Sequence, residues 1–201
     1  MNKSKDQIFN NKPFNKLSDK GKSLILKNIK LTSFNVGEQL IDENVIPGRV
    51  LVIYAGTARN LIRENGKLKT FRKYEYGSII GAASIMNGHA CENYSAGAGL
   101  IAFSIEEEIW KNLYEIDENF KKWCDSNLWI QEVLYLITKK IELHPKEVQL
   151  SNKLIDEIFE SSKIISDKEL NSVKDIKKNK YLFNLTFIDE KFEFTEPILN
   201  L

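Results

Sequence analysis

The 201-residue sequence predicts an α+β chain: an antiparallel β half, then a mainly helical half that ends in a β-hairpin. Three observations predict it. Every glycine lies between Gly21 and Gly99. Five of them, Gly37, Gly48, Gly56, Gly66 and Gly77, recur at gaps of 11, 8, 10 and 11 residues, with short apolar, β-branched or aromatic runs between them. Beyond residue 105 the apolar residues recur at helical spacing instead. Glycine reaches positive φ without steric cost, and turns at such intervals between short strands mark a sandwich or barrel. A 3.6-residue apolar stripe marks a helix with one face to bury.

Residues 1–15 read as a loose arm. Ser18 is a plausible N-cap for a short helix whose apolar side is Leu24, Ile25, Leu26 and Ile29. Strands then follow at Phe34–Val36, Gln39–Ile41, Val50–Tyr54, Thr57–Arg63 and Leu68–Tyr74. Asn65-Gly66 between two of them is a strong hairpin signal. Ile79–Met86 is a strand end passing into small residues at helical spacing. Tyr94–Ala98 and Leu100–Ile105 complete the β half. Ser104-Ile105-Glu106-Glu107 fits a capping box opening a helix through Trp110 and Leu113 to Ile116. One long helix is expected over about 118–143, from the stripe Phe120, Cys124, Leu128, Leu134, Ile137 and Ile141. His144-Pro145 breaks it. A helix through Leu154, Ile155, Ile158 and Phe159 follows, then a second capping box at Ser166 opening a helix to Lys178. A hairpin is expected around Asp189-Glu190.

Composition narrows the function classes. Hydrophobic content of 42% supports a real core, and 28% charge suits a soluble globular protein. A net charge of +1 exerts no global pull towards nucleic acid or anionic membrane. Two cysteines and two histidines are too few for a zinc ribbon, so no metal is expected, and His89-Ala90-Cys91 reads as a buried or incidental pair. No leader-like segment and no apolar run of about 18 residues occurs, and a reduced, cytoplasmic setting is the expectation.

Three stretches carry a family resemblance. They are Phe34-Asn35-Val36-Gly37-Glu38, the hairpin from Ile46-Pro47-Gly48 to Tyr54-Ala55-Gly56, and Tyr76-Gly77-Ser78-Ile79-Ile80-Gly81. With the helix before them and the helices after, they resemble a cyclic-nucleotide-binding domain over about residues 14–143. The resemblance implies an antiparallel β-roll (a double-stranded β-helix or jelly roll) with flanking helices. It also divides the chain into an arm (1–15), the β-roll module (16–143) and a helical extension with hairpin (144–201). In that family a short helix start receives the cyclic phosphate, a glutamate after the second glycine holds the ribose, and an arginine pairs with the phosphate.

This chain departs from that chemistry. The glutamate position is Ala82, and Glu92 or, with a one-residue slip, Cys91 stands where the arginine belongs. All four arginines, Arg49, Arg59, Arg63 and Arg72, lie earlier, and His89 is the nearest basic group. An anionic Glu92 against a phosphate is repulsive, so no cofactor is expected and cyclic AMP or GMP binding is disfavoured. The candidate pocket is this degenerate cassette: Ile80, Gly81, Ala82, Ala83, Ser84, His89, Cys91, Glu92, Tyr94 and Ser95. Gly81–Ser84 read either as a small-ligand nest or as a relic turn. Cys91-Glu92 read either as a functional pair or, the favoured option, as an exposed loop pair. No catalytic residue is expected.

The run Ile80–Glu92 further resembles a branch found in the N-terminal regions of cyanobacterial ABC exporters of the toxin or bacteriocin-secretion type. That implies a non-enzymatic regulatory or docking module for toxin secretion, partnered by downstream exporter domains, with ATPase activity elsewhere in the parent. The 118–143 helix is a candidate dimer contact, and an unknown small ligand stays open. The rival is a transcription regulator of the catabolite-activator type with a winged helix at 145–195. Asp167, Glu169 and Asp175 and the absence of arginine argue against its recognition helix, so nucleic acid is disfavoured.

Overall fold

A computed structural model describes residues 5–64, 66–143, 151–162, 185–188 and 191–194. The chain divides into two compact units, 1–127 and 128–201.

The first unit is built on two four-stranded antiparallel sheets. One orders β1 (Lys30–Ser33), β8 (Ile101–Glu106), β3 (Arg49–Ala55) and β6 (Ile79–Ile80). The other orders β2 (Gln39–Ile41), β7 (Tyr94–Ala96), β4 (Ala58–Glu64) and β5 (Lys67–Tyr74). Phe34, Ile41, Leu51, Ile53, Ala58, Tyr94, Ala96 and Ala102, from both sheets, form one buried core. The β4–β5 hairpin falls where expected. Glu64 pairs with Lys67, so the connection is two residues long, and Gly66 sits at φ +76°.

Strand β3 is apolar without alternation because both its faces are covered. Leu51 and Ile53 face the core, while α3 (Glu107–Ile116) packs on β3 and β8. Helix α1 (Asp19–Asn28) packs on α3. Ser18 caps α1 as the sequence suggests, its Oγ accepting from the Gly21 N–H at 3.2 Å. Asp117 then ties two helix starts together. Its Oδ2 accepts from the Ser18 N–H (2.8 Å) and Oγ–H (2.7 Å), and its Oδ1 from the N–H groups of Asn119 (3.1 Å) and Phe120 (3.0 Å) at the start of α4 (Glu118–Ser126). Gly21 has no room for a side chain, because a Cβ there would run into Asp117 Oδ2.

Three expectations are corrected. The arm is not loose: residues 5–16 form two 3-10 turns, and Ile8 and Phe14 are fully buried. Phe14 packs its ring on Trp110 (6.2 Å) and Phe120 (6.4 Å), and Trp110 meets Phe120 edge-on at 4.8 Å. Ser104 is not a helix cap. It is a β8 residue paired with Lys30 and Leu51, and α3 starts at Glu107 without a side-chain cap. The expected 118–143 helix is two helices, α4 and α5 (Ile130–Leu143), separated by residues 127–129.

In the second unit α5 packs on α6 (Asn152–Ser161), which Ser151 caps through the Leu154 N–H at 3.1 Å. Leu185–Ile188 (β9) pairs antiparallel with Lys191–Phe194 (β10). The expected helix at 167–178 lies outside the described residues. No described helix is long and apolar enough to cross a membrane.

Candidate functional site

The candidate site forms where β6 ends. Ile80 pairs with Leu51, and the chain turns at Gly81 (φ +89°) into the short helix α2 (Ala82–Asn87). Only glycine fits that turn. Its backbone is left-handed, and a Cβ would lie 2.8 Å from the Arg49 carbonyl oxygen. Ile80 through Ile85 are buried, so the small Ala82, Ala83 and Ser84 let this turn press against the β-roll. Gly88 (φ +69°) ends α2, and residues 89–93 return the chain to β7.

That return segment brings Glu92 back onto the start of α2. Its Oε1 accepts from the Gly81 N–H at 2.8 Å. Its Oε2 accepts from the Ser84 N–H at 2.9 Å and from the Ser84 Oγ–H at 2.9 Å. Ser84 Oγ in turn accepts from the Cys91 N–H at 3.2 Å, and Cys91 Sγ lies 3.5 Å from it. Glu92 is 2% exposed and Cys91 8%. The favoured expectation of an exposed Cys91-Glu92 loop pair is therefore overturned. The carboxylate is drawn inside because three donors converge on it. Burial pushes the Glu92 pKa above the ordinary glutamate value, against the opposing pull of the Ser84 and Gly81 donors.

The other candidate residues separate. His89 is half-buried on the turn after Gly88, and burial holds its imidazole below the ordinary pKa, in the neutral form at pH 7. Tyr94 points into the core against Tyr74, ring to ring at 5.4 Å. Ser95, one residue on, faces the opposite side of β7. Among the described residues no group of three or more His, Cys, Asp or Glu side chains is placed to hold a metal.

A second network braces the segment from the other side. The Asn93 carbonyl accepts from the Leu61 N–H (2.9 Å) and Asn60 Nδ2 (3.2 Å). Asn93 Nδ2 donates to Glu43 Oε2 at 2.9 Å, and Gln39 Nε2 donates to Asn93 Oδ1 at 3.0 Å. Arg63 forks onto Glu43 Oε1 from Nη2 (2.7 Å) and Nε (3.2 Å). Burial alone would raise the Glu43 pKa, but the Arg63 and Asn93 donors hold it below the ordinary value. Arg49, meanwhile, stacks 5.4 Å over the Phe34 ring. Sequence reasoning misses Gln39, Glu43, Asn60 and Asn93 and gives Arg63 no role, since no local pattern joins these positions.

No protein-family model and no curated protein matches the chain. Solved structures do. One is the regulatory subunit of a cAMP-independent protein kinase A from Trypanosoma cruzi bound to guanosine. It is 15% identical, with a TM-score of 0.53, over 74% of this chain and 51% of that one. Another is a putative cyclic nucleotide-binding protein from Geobacter metallireducens, 18% identical, with a TM-score of 0.50, over 59% of this chain and 87% of that one. The regulatory domain of Toxoplasma gondii PKA with cAMP is 13% identical, with a TM-score of 0.49, over 55% of this chain and 43% of that one. The match thus spans about half the length of the Trypanosoma subunit and less than half of the Toxoplasma domain. At these identities the likeness to the Trypanosoma and Geobacter structures is one of fold alone.

Proposed function

We propose that this chain is a non-catalytic regulatory or docking module whose cassette is closed to cyclic nucleotides. One observation carries the reading. The donors at the start of α2, where the resemblance seats a cyclic phosphate, are taken by the Glu92 carboxylate. A phosphate entering there would have to expel a buried carboxylate and strip Gly81 and Ser84 of their acceptor. Ala82 also gives the ribose no carboxylate. The run Ile80–Glu92 supports the finer reading, a cytosolic N-terminal part of a toxin- or peptide-secreting ABC transporter that docks on downstream exporter domains. The test is titration calorimetry of the 201-residue chain with cyclic AMP and cyclic GMP. No binding heat and no thermal stabilisation are expected, and a saturable micromolar response to either overturns the reading.

A further inference from the structure

We infer that the outer face of the sheet β2-β7-β4-β5 docks an acidic, extended segment of a partner protein, received by Arg59, Lys73 and Ser95. The inference rests on the docking half of the reading above, to which it gives a partner of stated chemistry, and makes no use of the cassette.

The three residues form one row across the sheet. Arg59 pairs with Ser95 on β7 and with Lys73 on β5, so their side chains share a face, the one opposite Tyr94 and the core. Like charges directly opposite each other on a sheet repel. Among the described residues no carboxylate relieves them, since neither cation has an ion pair. Glu43, on the same sheet's margin, is committed to Arg63 and Asn93. Ser95 adds an independent observation. It is 3% exposed, and its hydroxyl has no protein partner; nor has the buried Arg59 Nε. Gln39, which faces Ser95 from β2, turns its Nε2 to the Ile41 carbonyl (2.5 Å) and Asn93 Oδ1 (3.0 Å) instead. Buried donors are nearly always matched, so two on paired residues point to an acceptor brought from outside. Beside two cations that acceptor is an anion, and a carboxylate's two oxygens suit an arginine and a neighbouring hydroxyl.

The distribution of charge selects its source. The β4–β5 hairpin, residues 58–74, carries Arg59, Arg63, Lys67, Lys69, Arg72 and Lys73 against Glu64 alone, a net +5 in a chain of net +1. The rest of the chain therefore sums to −4. A nucleic acid or an anionic bilayer extends past the hairpin and meets that negative remainder. A short acidic strand lies on the hairpin and meets cations, with alternate side chains turned to the sheet.

The test uses the 201-residue chain and a fluorescent octapeptide of alternating glutamate and serine, read by anisotropy at low ionic strength. A glutamine-serine octapeptide is its neutral counterpart. Saturable binding of the glutamate peptide alone is expected. Arg59→Ala is expected to weaken it about tenfold and Ser95→Ala about fivefold. Lys27→Ala, which removes the same charge from the exposed surface of α1, is expected to leave it within about twofold. No binding by the wild type overturns the proposal. So does equal weakening by Arg59→Ala and Lys27→Ala, or an unchanged affinity in Ser95→Ala. Should Ser95→Ala fail to fold, Lys73→Ala, at an exposed position, takes its place with a fivefold expectation, and an unchanged affinity there overturns the proposal equally. Tighter binding of single-stranded DNA or of phosphatidylserine vesicles, lost with Arg59→Ala, overturns it in favour of those ligands. Cyclic AMP binding would instead sink the closed-cassette reading and leave this one standing, so the two failures are distinguishable.

Discussion

Glu92→Gln keeps the size of the side chain and changes what it can accept. With its oxygen at the Oε2 position, glutamine still serves the Ser84 N–H and hydroxyl, 2.9 Å away. Its NH₂ then faces the Gly81 N–H, which lies 2.8 Å from Oε1 in the wild type, so two donors meet. Turning the amide over moves the conflict to the Ser84 N–H. Either way one buried amide loses its acceptor, which costs about 1–3 kcal/mol. Removing a buried charge offsets part of this, so the expected net loss is about 2 kcal/mol near neutral pH. The pH dependence has a definite sign. Burial raises the Glu92 pKa in the folded state, so its stabilising contribution is full below the ordinary value of 4.5 and declines as pH rises through the folded value. Glutamine has no such dependence. The gap between wild type and variant is therefore widest at the acid end and narrows with rising pH. Urea denaturation of the 201-residue chain, followed by circular dichroism over a pH series, measures it. A gap under about 0.5 kcal/mol, or one that widens as pH rises, refutes the reasoning.

Two further outcomes follow from the same geometry. Gly81→Ala combines a φ of +89° with a Cβ 2.8 Å from the Arg49 carbonyl oxygen, so a loss of about 2 kcal/mol or more is expected in the same denaturation assay. Asp117→Ala removes the acceptor of four donors and unties α1 from α4, for a loss of about 3 kcal/mol or more. Burial pushes the Asp117 pKa up, but those donors outweigh it and hold it below the ordinary 3.8. The wild type's advantage over Asp117→Ala is thus present above that value and disappears as pH falls below it. An advantage that persists unchanged into strong acid counts against the clamp.

Much of the fold was legible because its signals are local. Of the five rhythmic glycines, Gly37, Gly56, Gly66 and Gly77 have positive φ, so the spacing reports turn chemistry. Ser18 caps α1 because the N–H it serves is three residues away. The same logic failed at Ser104. Its capping pattern is intact in the sequence, but two neighbouring strands claim the residue and pairing on both sides outweighs one cap. The apolar stripe over 118–143 continued across residues 127–129, where the backbone leaves the helix, because a side-chain periodicity does not record a local break in the backbone hydrogen bonds.

By itself, then, the sequence determined most of the turns, the antiparallel strands and the strand-to-helix turn at Gly81. The family resemblance also put Glu92 or, with a one-residue slip, Cys91 where a phosphate-pairing arginine was expected. Only the tertiary structure decided what that carboxylate does. From sequence Glu92 is a negative charge in a loop. Folded, it is the acceptor for donors eight and eleven residues earlier, on the far side of a helix and a glycine turn. Its brace joins Asn93 to Glu43 across 50 residues and Glu43 to Arg63 across 20. The reason is physical. Backbone turns and periodic faces depend on neighbours along the chain, whereas the sign of a buried charge's effect depends on which donors surround it in space.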